Sequence, residues 1–299
     1  MFKNLDEIKC RGRRVIVRGD LNVPMQFGAV TDSTRLDRFA ATVQELSDKG
    51  ARVAVVSHLG RPQGEVRPEL SLQPIAEALS MALGGRAVAF ADNCIGAAAK
   101  SAIDALPDGG IVLLENVRFH AGEEANDPTF IAALAENADL YVNDGFSVSH
   151  RAHASTAGIA GVLQAYAGRG MQAELEALSA ALEVPKKPVV ALVGGAKVST
   201  KLSVLGHLLH KVDSLIIGGG MANTFLFALG TDIGASLCEK ELADTAREIM
   251  ALADKIGCRI VLPSDVVIAA GLEEGIVTKV VPIAAVPPNQ MILDVGPET

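Results

Sequence analysis

The 299-residue chain is 49% hydrophobic and 21% charged, enough for roughly two domains with sizeable cores and too apolar for wholesale disorder. Tyrosine is scarce and tryptophan absent, while Ala, Val, Leu and Gly dominate, which suits helices packed on a parallel sheet better than an aromatic-rich β-sandwich. A formal net charge of −8 argues against general nucleic-acid binding by phosphate neutralisation, so any anion site must be a local cluster of cations.

The opening MFKNLDEIKCRGRR has no apolar signal-peptide core. No later segment reaches the roughly 18 uninterrupted apolar residues of a membrane span. A soluble, cytoplasmic protein with no membrane contact is expected. The four cysteines, Cys10, Cys94, Cys238 and Cys258, are far apart and form no C-x-x-C, as suits free thiols in a reducing compartment.

In chain order, the first predicted strand is 15–17, followed by Arg18-Gly19-Asp20-Leu21-Asn22. Arg18-Gly19-Asp20 could be an exposed adhesion tripeptide, but its place between an apolar strand and Leu-Asn-Val-Pro argues for a strand end at a pocket. Asp32 or Ser33 can cap the next helix, which carries Leu36, Phe39, Ala40, Val43 and Leu46 on one face and Arg35 in its first turn. Strand 53–56 is followed by Ser57-His58-Leu59-Gly60-Arg61-Pro62, and Ser71 precedes a helix with Ile75, Leu79 and Leu83. Strand 87–90 comes next. After it, strand 111–114 is followed by Glu115-Asn116-Val117-Arg118-Phe119-His120. Residues 122–127 are expected to be a solvated acidic loop leading into an Asp127 cap, with Pro128 at the first helical position. Strand 140–142 is followed by Asn143-Asp144-Gly145, then His150-Arg151-Ala152-His153.

A helix over 171–183 precedes residues 183–188, where two prolines flank charges. The domain boundary is expected there, giving 1–170, a helix and linker over 171–188, and 189–299. In the second part, strand 189–193 runs into Gly194-Gly195-Ala196-Lys197-Val198-Ser199-Thr200-Lys201. Ser199 can cap the helix bearing Leu202, Leu205, Leu209 and Val212. Strand 214–217 runs into Gly218-Gly219-Gly220-Met221, and a last strand is expected at 259–262.

Short apolar strands alternating with amphipathic helices predict two doubly wound parallel-sheet, Rossmann-like α/β domains. Ligands bind beyond the carboxyl ends of such strands, so the residues placed there are the candidates. In the first domain they describe a pocket for a small, multiply anionic, hydroxylated molecule, because arginine grips phosphate and carboxylate through a planar fork of donors. Each residue alone also has an ordinary reading: a solvated arginine, an Asx-turn at Asp20 and Asn22, a structural histidine. The two glycine turns let a backbone approach a phosphate at a helix N-terminus, yet tight strand-to-helix turns use glycine for structural reasons too. Neither turn fits G-x-x-x-x-G-K-[ST] or G-x-G-x-x-G, which disfavours a dehydrogenase. The pairs His150/His153 and His207/His210 lack partners for a zinc set, and no nucleophile elbow is present.

Together the strings VIVRGDLNVP, SHLGRP, LLENVRFHAGEE, VNDGFSVSHRAHAST, GGAKVSTK, GGGMANTF, LPSDVV and LDVGPET resemble the phosphoglycerate kinase family, in family order along nearly the whole chain. The resemblance implies phosphoryl transfer between 1,3-bisphosphoglycerate and ADP, giving 3-phosphoglycerate and ATP, by a cytoplasmic glycolytic enzyme that is a monomer. It implies that Asp20, Asn22, Arg35, His58, Arg61, Arg118 and Arg151 hold phosphoglycerate in the N-terminal domain. Gly195, Lys201, Gly218 and Gly219 would hold nucleotide phosphates in the C-terminal domain. Lys197 and Arg35 would face the phosphoryl group in flight, and Mg2+ would arrive with ADP or ATP. Against the family pattern the chain stops at Thr299, before motifs resembling N-G-P-x-G-x-F-E and G-G-G-D-T, the latter carrying the family's magnesium-binding aspartate. That difference implies an incomplete second sheet with an exposed apolar edge and no metal ligand in this chain. It leaves two outcomes open, an active kinase or a non-catalytic fragment that only binds 3-phosphoglycerate. Gly19 and Gly145 stand where the family usually has alanine, an exchange expected to be tolerated though it could loosen those turns.

Overall fold

The computed structural model describes residues 2–182 and 185–299. The chain forms two compact units, Met1–Leu178 and Ser179–Thr299. Of the boundary expected at 183–188, Glu183 and Val184 lie outside the described residues.

The first unit is built on six strands: β1 (Arg14–Arg18), β2 (Arg52–Val56), β3 (Val88–Ala91), β4 (Ile111–Leu114), β5 (Leu140–Asn143) and β6 (Ala165–Ala167). They form one sheet in the order β3-β4-β2-β1-β5-β6, every pairing parallel. The strands read as continuous apolar runs because both faces are covered. Val15, Val17, Val53 and Val55 face α1 (Thr34–Asp48) and α2 (Gln73–Ala82), in one core with Leu36, Phe39, Val43 and Ile75. Ile16, Ala54 and Val56 point the other way, into a second core with residues of α3 (Gly96–Asp104) and α5 (Pro128–Ala135). Strand alternation thus divides one hydrophobic run between two cores. The expected strands are present with ends moved by a residue or so, and β6 was not anticipated because three residues carry little pattern.

Three local expectations need correction. Between them, the short helical turn α4 (Ala121–Glu124) replaces the expected acidic loop, and Glu123 is only 1% exposed. Ser33 does not cap α1 with its side chain; its hydroxyl donates to Asp37 (2.8 Å), while Asp32 accepts the Thr34 N–H (2.8 Å). Ser199 does not cap the helix after it, because its hydroxyl donates to Glu239 (2.6 Å). Asp127 does cap α5, accepting the Phe130 N–H at 2.9 Å. α6 (Arg169–Leu182) follows β6.

In the second unit, β7 (Val190–Gly194), β8 (Ser214–Gly218) and β9 (Arg259–Val261) make a parallel sheet in the order β9-β8-β7. Leu215, Ile217 and partly buried Ala191 and Val193 pack with α7 (Leu202–Leu209), α8 (Gly219–Ala228) and α9 (Ala243–Ile256). The alternate residues Val190 and Leu192 are 55% and 73% exposed. Among the described residues β7 pairs with β8 alone and is an edge of this sheet, with one apolar face uncovered. Unanticipated is an antiparallel sheet of β10 (Asp265–Ala269), β11 (Lys279–Pro282) and β12 (Met291–Val295), in the order β11-β10-β12. All four cysteines are free, and Cys10, Cys94 and Cys258 are buried. No helix among the described residues is long and apolar enough to cross a membrane.

Candidate functional site

Register brings the candidate residues together. Arg18, the last residue of β1, pairs with Val56 of β2 and Asn143 of β5, so three strands end flush. Backbone bonds then tie their loops: Gly19 N–H donates to the Val56 carbonyl (3.1 Å) and Asp144 N–H to the Arg18 carbonyl (2.8 Å). Ser57, the residue after β2, accepts the Leu21 N–H (2.9 Å) and donates to the Gly19 carbonyl (2.8 Å). Asn22 accepts the Gly60 N–H at 3.0 Å, and Arg118 donates to the Gly60 carbonyl at 2.9 Å. The loops after β1, β2 and β4 are therefore one hydrogen-bonded assembly.

Asp20 sits at its centre. One carboxylate oxygen accepts the Asn22 N–H (3.2 Å); the other accepts Arg35 (2.6 Å) and the Ser147 hydroxyl. Burial pushes its pKa up, but the Ser147 and Asn22 hydrogen bonds and the Arg35 charge together hold it below the ordinary aspartate value. Arg35 is half exposed beside it. A cavity of about 280 Å³ opens there, lined by Asp20, Arg35, Arg38, Asp144, Ser147 and Glu174 among others.

His58 is buried, and its pKa is driven down to about 3 by burial and by the cations Arg18, Arg118 and Arg151, against Asp20. Arg118 is 4% exposed; its Nε lies 3.3 Å from Glu124 without hydrogen-bond geometry and has no hydrogen-bond partner among the described residues. Burial lowers its pKa. A buried cation with an unused N–H is a group poised for an anion. Arg151, half-buried, donates from Nε to His150 (3.1 Å), while Arg61 is exposed directly after the doubly anchored Gly60. Arg18 is 1% exposed, which excludes both the adhesion reading and a solvated arginine.

Sequence reasoning missed the polar groups that hold this cluster: Ser57, Ser147, Ser155 and Glu123. Ser57 had a signal, being a hydroxyl directly after a strand beside His58. Glu123 and Ser155 lie 32 residues apart and meet only in the fold.

The second unit brings its two glycine turns into backbone contact. Met221 N–H donates to the Gly195 carbonyl at 2.8 Å. Gly219 has φ +64°, and a Cβ there would meet that carbonyl oxygen at 3.0 Å. Glycine is thus required at 219 for both conformation and close approach. Beside it lies a small cavity of about 30 Å³, lined by Gly219, Gly220, Asn223, Pro263 and Leu293 among others. Asn223 is 2% exposed and its Oδ1 has no partner among the described residues. Lys197 and Lys201 are exposed on the other turn, which also carries Ser199 on Glu239. No group of three or more His, Cys, Asp or Glu among the described residues is spaced to hold a metal ion.

Comparison with known proteins matches residues 5–299 to the family model described as phosphoglycerate kinase. The phosphoglycerate kinase of Chelativorans sp. (strain BNC1) is 58% identical over 299 residues, all of this chain and 75% of that protein. That of Sinorhizobium fredii (strain NBRC 101917 / NGR234) is 57% identical over 299 residues, again all of this chain and 75% of the relative. Among solved structures, phosphoglycerate kinase from Coxiella burnetii superposes with a TM-score of 0.85 at 44% identity, covering 100% of this chain and 75% of that one. The enzyme from Pyrococcus horikoshii OT3 gives 0.80 at 27% identity, with 100% and 76% covered.

Proposed function

The chain belongs to the phosphoglycerate kinase family, and from that premise we propose that it moves a phosphoryl group between 1,3-bisphosphoglycerate and ADP, giving 3-phosphoglycerate and ATP. The observation that carries the reading is the assembly at the flush ends of β1, β2 and β5, where Arg18, Asp20, Arg118 and Arg151 lie close enough for their charges to act on the His58 imidazole. Such a cluster neutralises a small acid bearing a phosphate, and the Asp20–Asn22 loop offers acceptors and donors for its hydroxyl. In this reading Arg61, Arg118, Arg151 and His58 take the phosphate end, while Asp20, Asn22 and Arg35 take the hydroxyl and acyl end.

The second unit would hold the nucleotide. Gly195, Gly218 and Gly219 let the backbone come close to its phosphates, and Lys201 supplies charge. Lys197 would act on the transferring group, as would Arg35. Mg2+ is part of the nucleotide substrate, neutralising phosphate charge when it arrives. In the ATP-consuming direction the nucleophile is a carboxylate, already ionised at neutral pH, so no general base is required of these residues. The cost lies in bringing anions together, and fixed cations offset it. Four free cysteines suit a reducing compartment, which accords with a cytoplasmic, glycolytic role.

Separate calorimetric titrations with 3-phosphoglycerate and with ADP, followed by a coupled transfer assay, test this. Heat with both ligands and turnover support the kinase. Heat from 3-phosphoglycerate alone, without turnover, supports a binding module instead, and no heat from it rejects the pocket.

A further inference from the structure

Arg18 is almost wholly buried and makes no ion pair with a carboxylate among the described residues, yet every arm of its guanidinium is used. Nε donates to the Ser155 hydroxyl (3.0 Å), Nη1 to the Gly19 carbonyl and the Ser57 hydroxyl (3.3 Å for the latter), and Nη2 lies 3.1 Å from His58 Nδ1. A guanidinium has five N–H donors and no acceptor. His58 Nδ1 must therefore be the bare nitrogen, and the ring's proton resides on Nε2. We infer that Arg18 is a positioning residue that fixes His58 as its Nε2–H tautomer, so that the imidazole meets an anionic substrate as a neutral donor.

The device has its own support. Because the Ser155 hydroxyl accepts from Arg18, its proton goes to Glu123 Oε1 (2.6 Å), and the Ser155 N–H donates to Glu123 Oε2 (2.8 Å). Tyr141 holds the Ser155 carbonyl through its hydroxyl (2.8 Å). Glu123 is 1% exposed, so a buried carboxylate balances the buried guanidinium through one hydroxyl instead of by direct pairing. A direct pair would draw the fork of donors away from His58. The charged groups acting on the imidazole are Arg18 at the end of β1, Asp20 from the loop after it, Arg118 from the turn after β4 and Arg151 from the loop after β5. Three cations against one carboxylate oppose a second proton on the ring, in line with its depressed pKa. An arrangement of arginines gains from such a neutral donor: it adds a hydrogen bond to an anion without adding a charge that titrates near neutrality.

The inference rests on the phosphoglycerate pocket for its purpose but is tested without ligand. Long-range 15N–1H spectra of the histidine-labelled chain, with His58 assigned by its loss in His58→Gln, report the tautomer directly. The expected result is the Nε2–H pattern, unchanged between about pH 5 and 8. An Nδ1–H pattern, or ordinary titration of His58 in the wild-type chain, overturns the assignment even if 3-phosphoglycerate binds normally. In Arg18→Met the two tautomers should interconvert and the ring should protonate at mildly acidic pH. The ratio of variant to wild-type affinity for 3-phosphoglycerate should then change ~3- to 10-fold across that range, as a titrating cation replaces a neutral donor. A pH-independent ratio in a folded Arg18→Met would reduce Arg18 to a structural residue and also overturn the inference. Loss of 3-phosphoglycerate binding in the wild-type chain would refute the pocket and leave the tautomer result standing.

Discussion

A Cβ placed on Gly19 would stand 2.7 Å from two ring carbons of Phe39. Phe39 is 4% exposed, part of the core under β1, and also lines the cavity beside Asp20 and Arg35. Gly19 is therefore the complement of a large residue on α1. Gly145 is less constrained, its added Cβ lying 3.0 Å from Val148 Cγ2. Gly19→Ala should cost roughly 1–3 kcal/mol by overpacking. Phe39→Leu in the same chain should recover part of that cost, a coupling readable from denaturation midpoints of the two single variants and the double variant. Additive effects would show that the ring moves aside freely.

Asp144 offers a pH test. Its carboxylate accepts the Met171 N–H of α6 at 2.9 Å. Burial raises its pKa, more than the hydrogen bonds from Met171, Thr42 and Gly170 lower it. The folded chain thus holds the Asp144 proton to higher pH than the unfolded chain does. This contribution to stability is fully present below the unfolded value, about 4, and is lost as pH rises through the folded value. Asp144→Asn removes that dependence. The stability of the wild-type chain relative to Asp144→Asn should therefore be greatest in acid and fall towards neutrality, as measured by urea denaturation across that range. A difference that grows with pH would mean the carboxylate is favoured in the fold.

Arg61 and Arg118 separate binding from architecture. Arg118 anchors the Gly60 carbonyl, whereas Arg61 is exposed. Either change to alanine should weaken 3-phosphoglycerate binding by roughly 1–3 kcal/mol, the scale of a charge-assisted hydrogen bond. Only Arg118→Ala should also lower the unfolding midpoint. Calorimetry and thermal denaturation of both variants decide it, and unchanged affinity in both removes them from the pocket.

How much of this was legible before folding depends on distance along the chain. The runs at 15–17, 53–56 and 111–114 announced buried strands, and arginine or histidine a few residues later announced a pocket, because one loop contains both signals. Ser155 and Glu123 gave no such signal: a serine and a glutamate in polar loops look solvated until tertiary packing buries them. The antiparallel sheet over 265–295 was missed for a related reason. Its outer strands, β11 and β12, are largely exposed and its pairing is non-local, so their pattern is weak against the neighbouring Pro- and Gly-rich segments.

Lys197 distinguishes transfer from binding. It is exposed on the turn after β7, in the unit that does not contain the residues proposed to hold phosphoglycerate. Lys197→Ala should leave the heat of 3-phosphoglycerate binding unchanged and slow transfer by ~10²-fold or more, as loss of one preorganised charge does elsewhere. An unchanged single-turnover rate would reject its role at the transferring group.

The same turn depends on Glu239. Its carboxylate accepts both the N–H and the hydroxyl of Ser199, at 3.0 and 2.6 Å, and its own N–H donates to Thr224 of α8 at 3.1 Å. The Ser199 hydrogen bonds hold its pKa below the ordinary glutamate value. Two effects of Glu239→Ala oppose each other. Removing an anion near Lys197 favours phosphate binding, but the carboxylate is solvent-facing and such attraction is screened to a few tenths of a kcal/mol. Freeing the turn loses two charge-assisted hydrogen bonds and the order they impose, worth about 1–3 kcal/mol together. The second effect wins, so ADP affinity should fall ~5-fold or more while 3-phosphoglycerate affinity stays constant. Ser199→Ala should reproduce part of the loss, since the Ser199 N–H bond remains. Tighter ADP binding in Glu239→Ala, measured by calorimetry at physiological salt, would show that the carboxylate acts as a repulsive charge and not as a clamp.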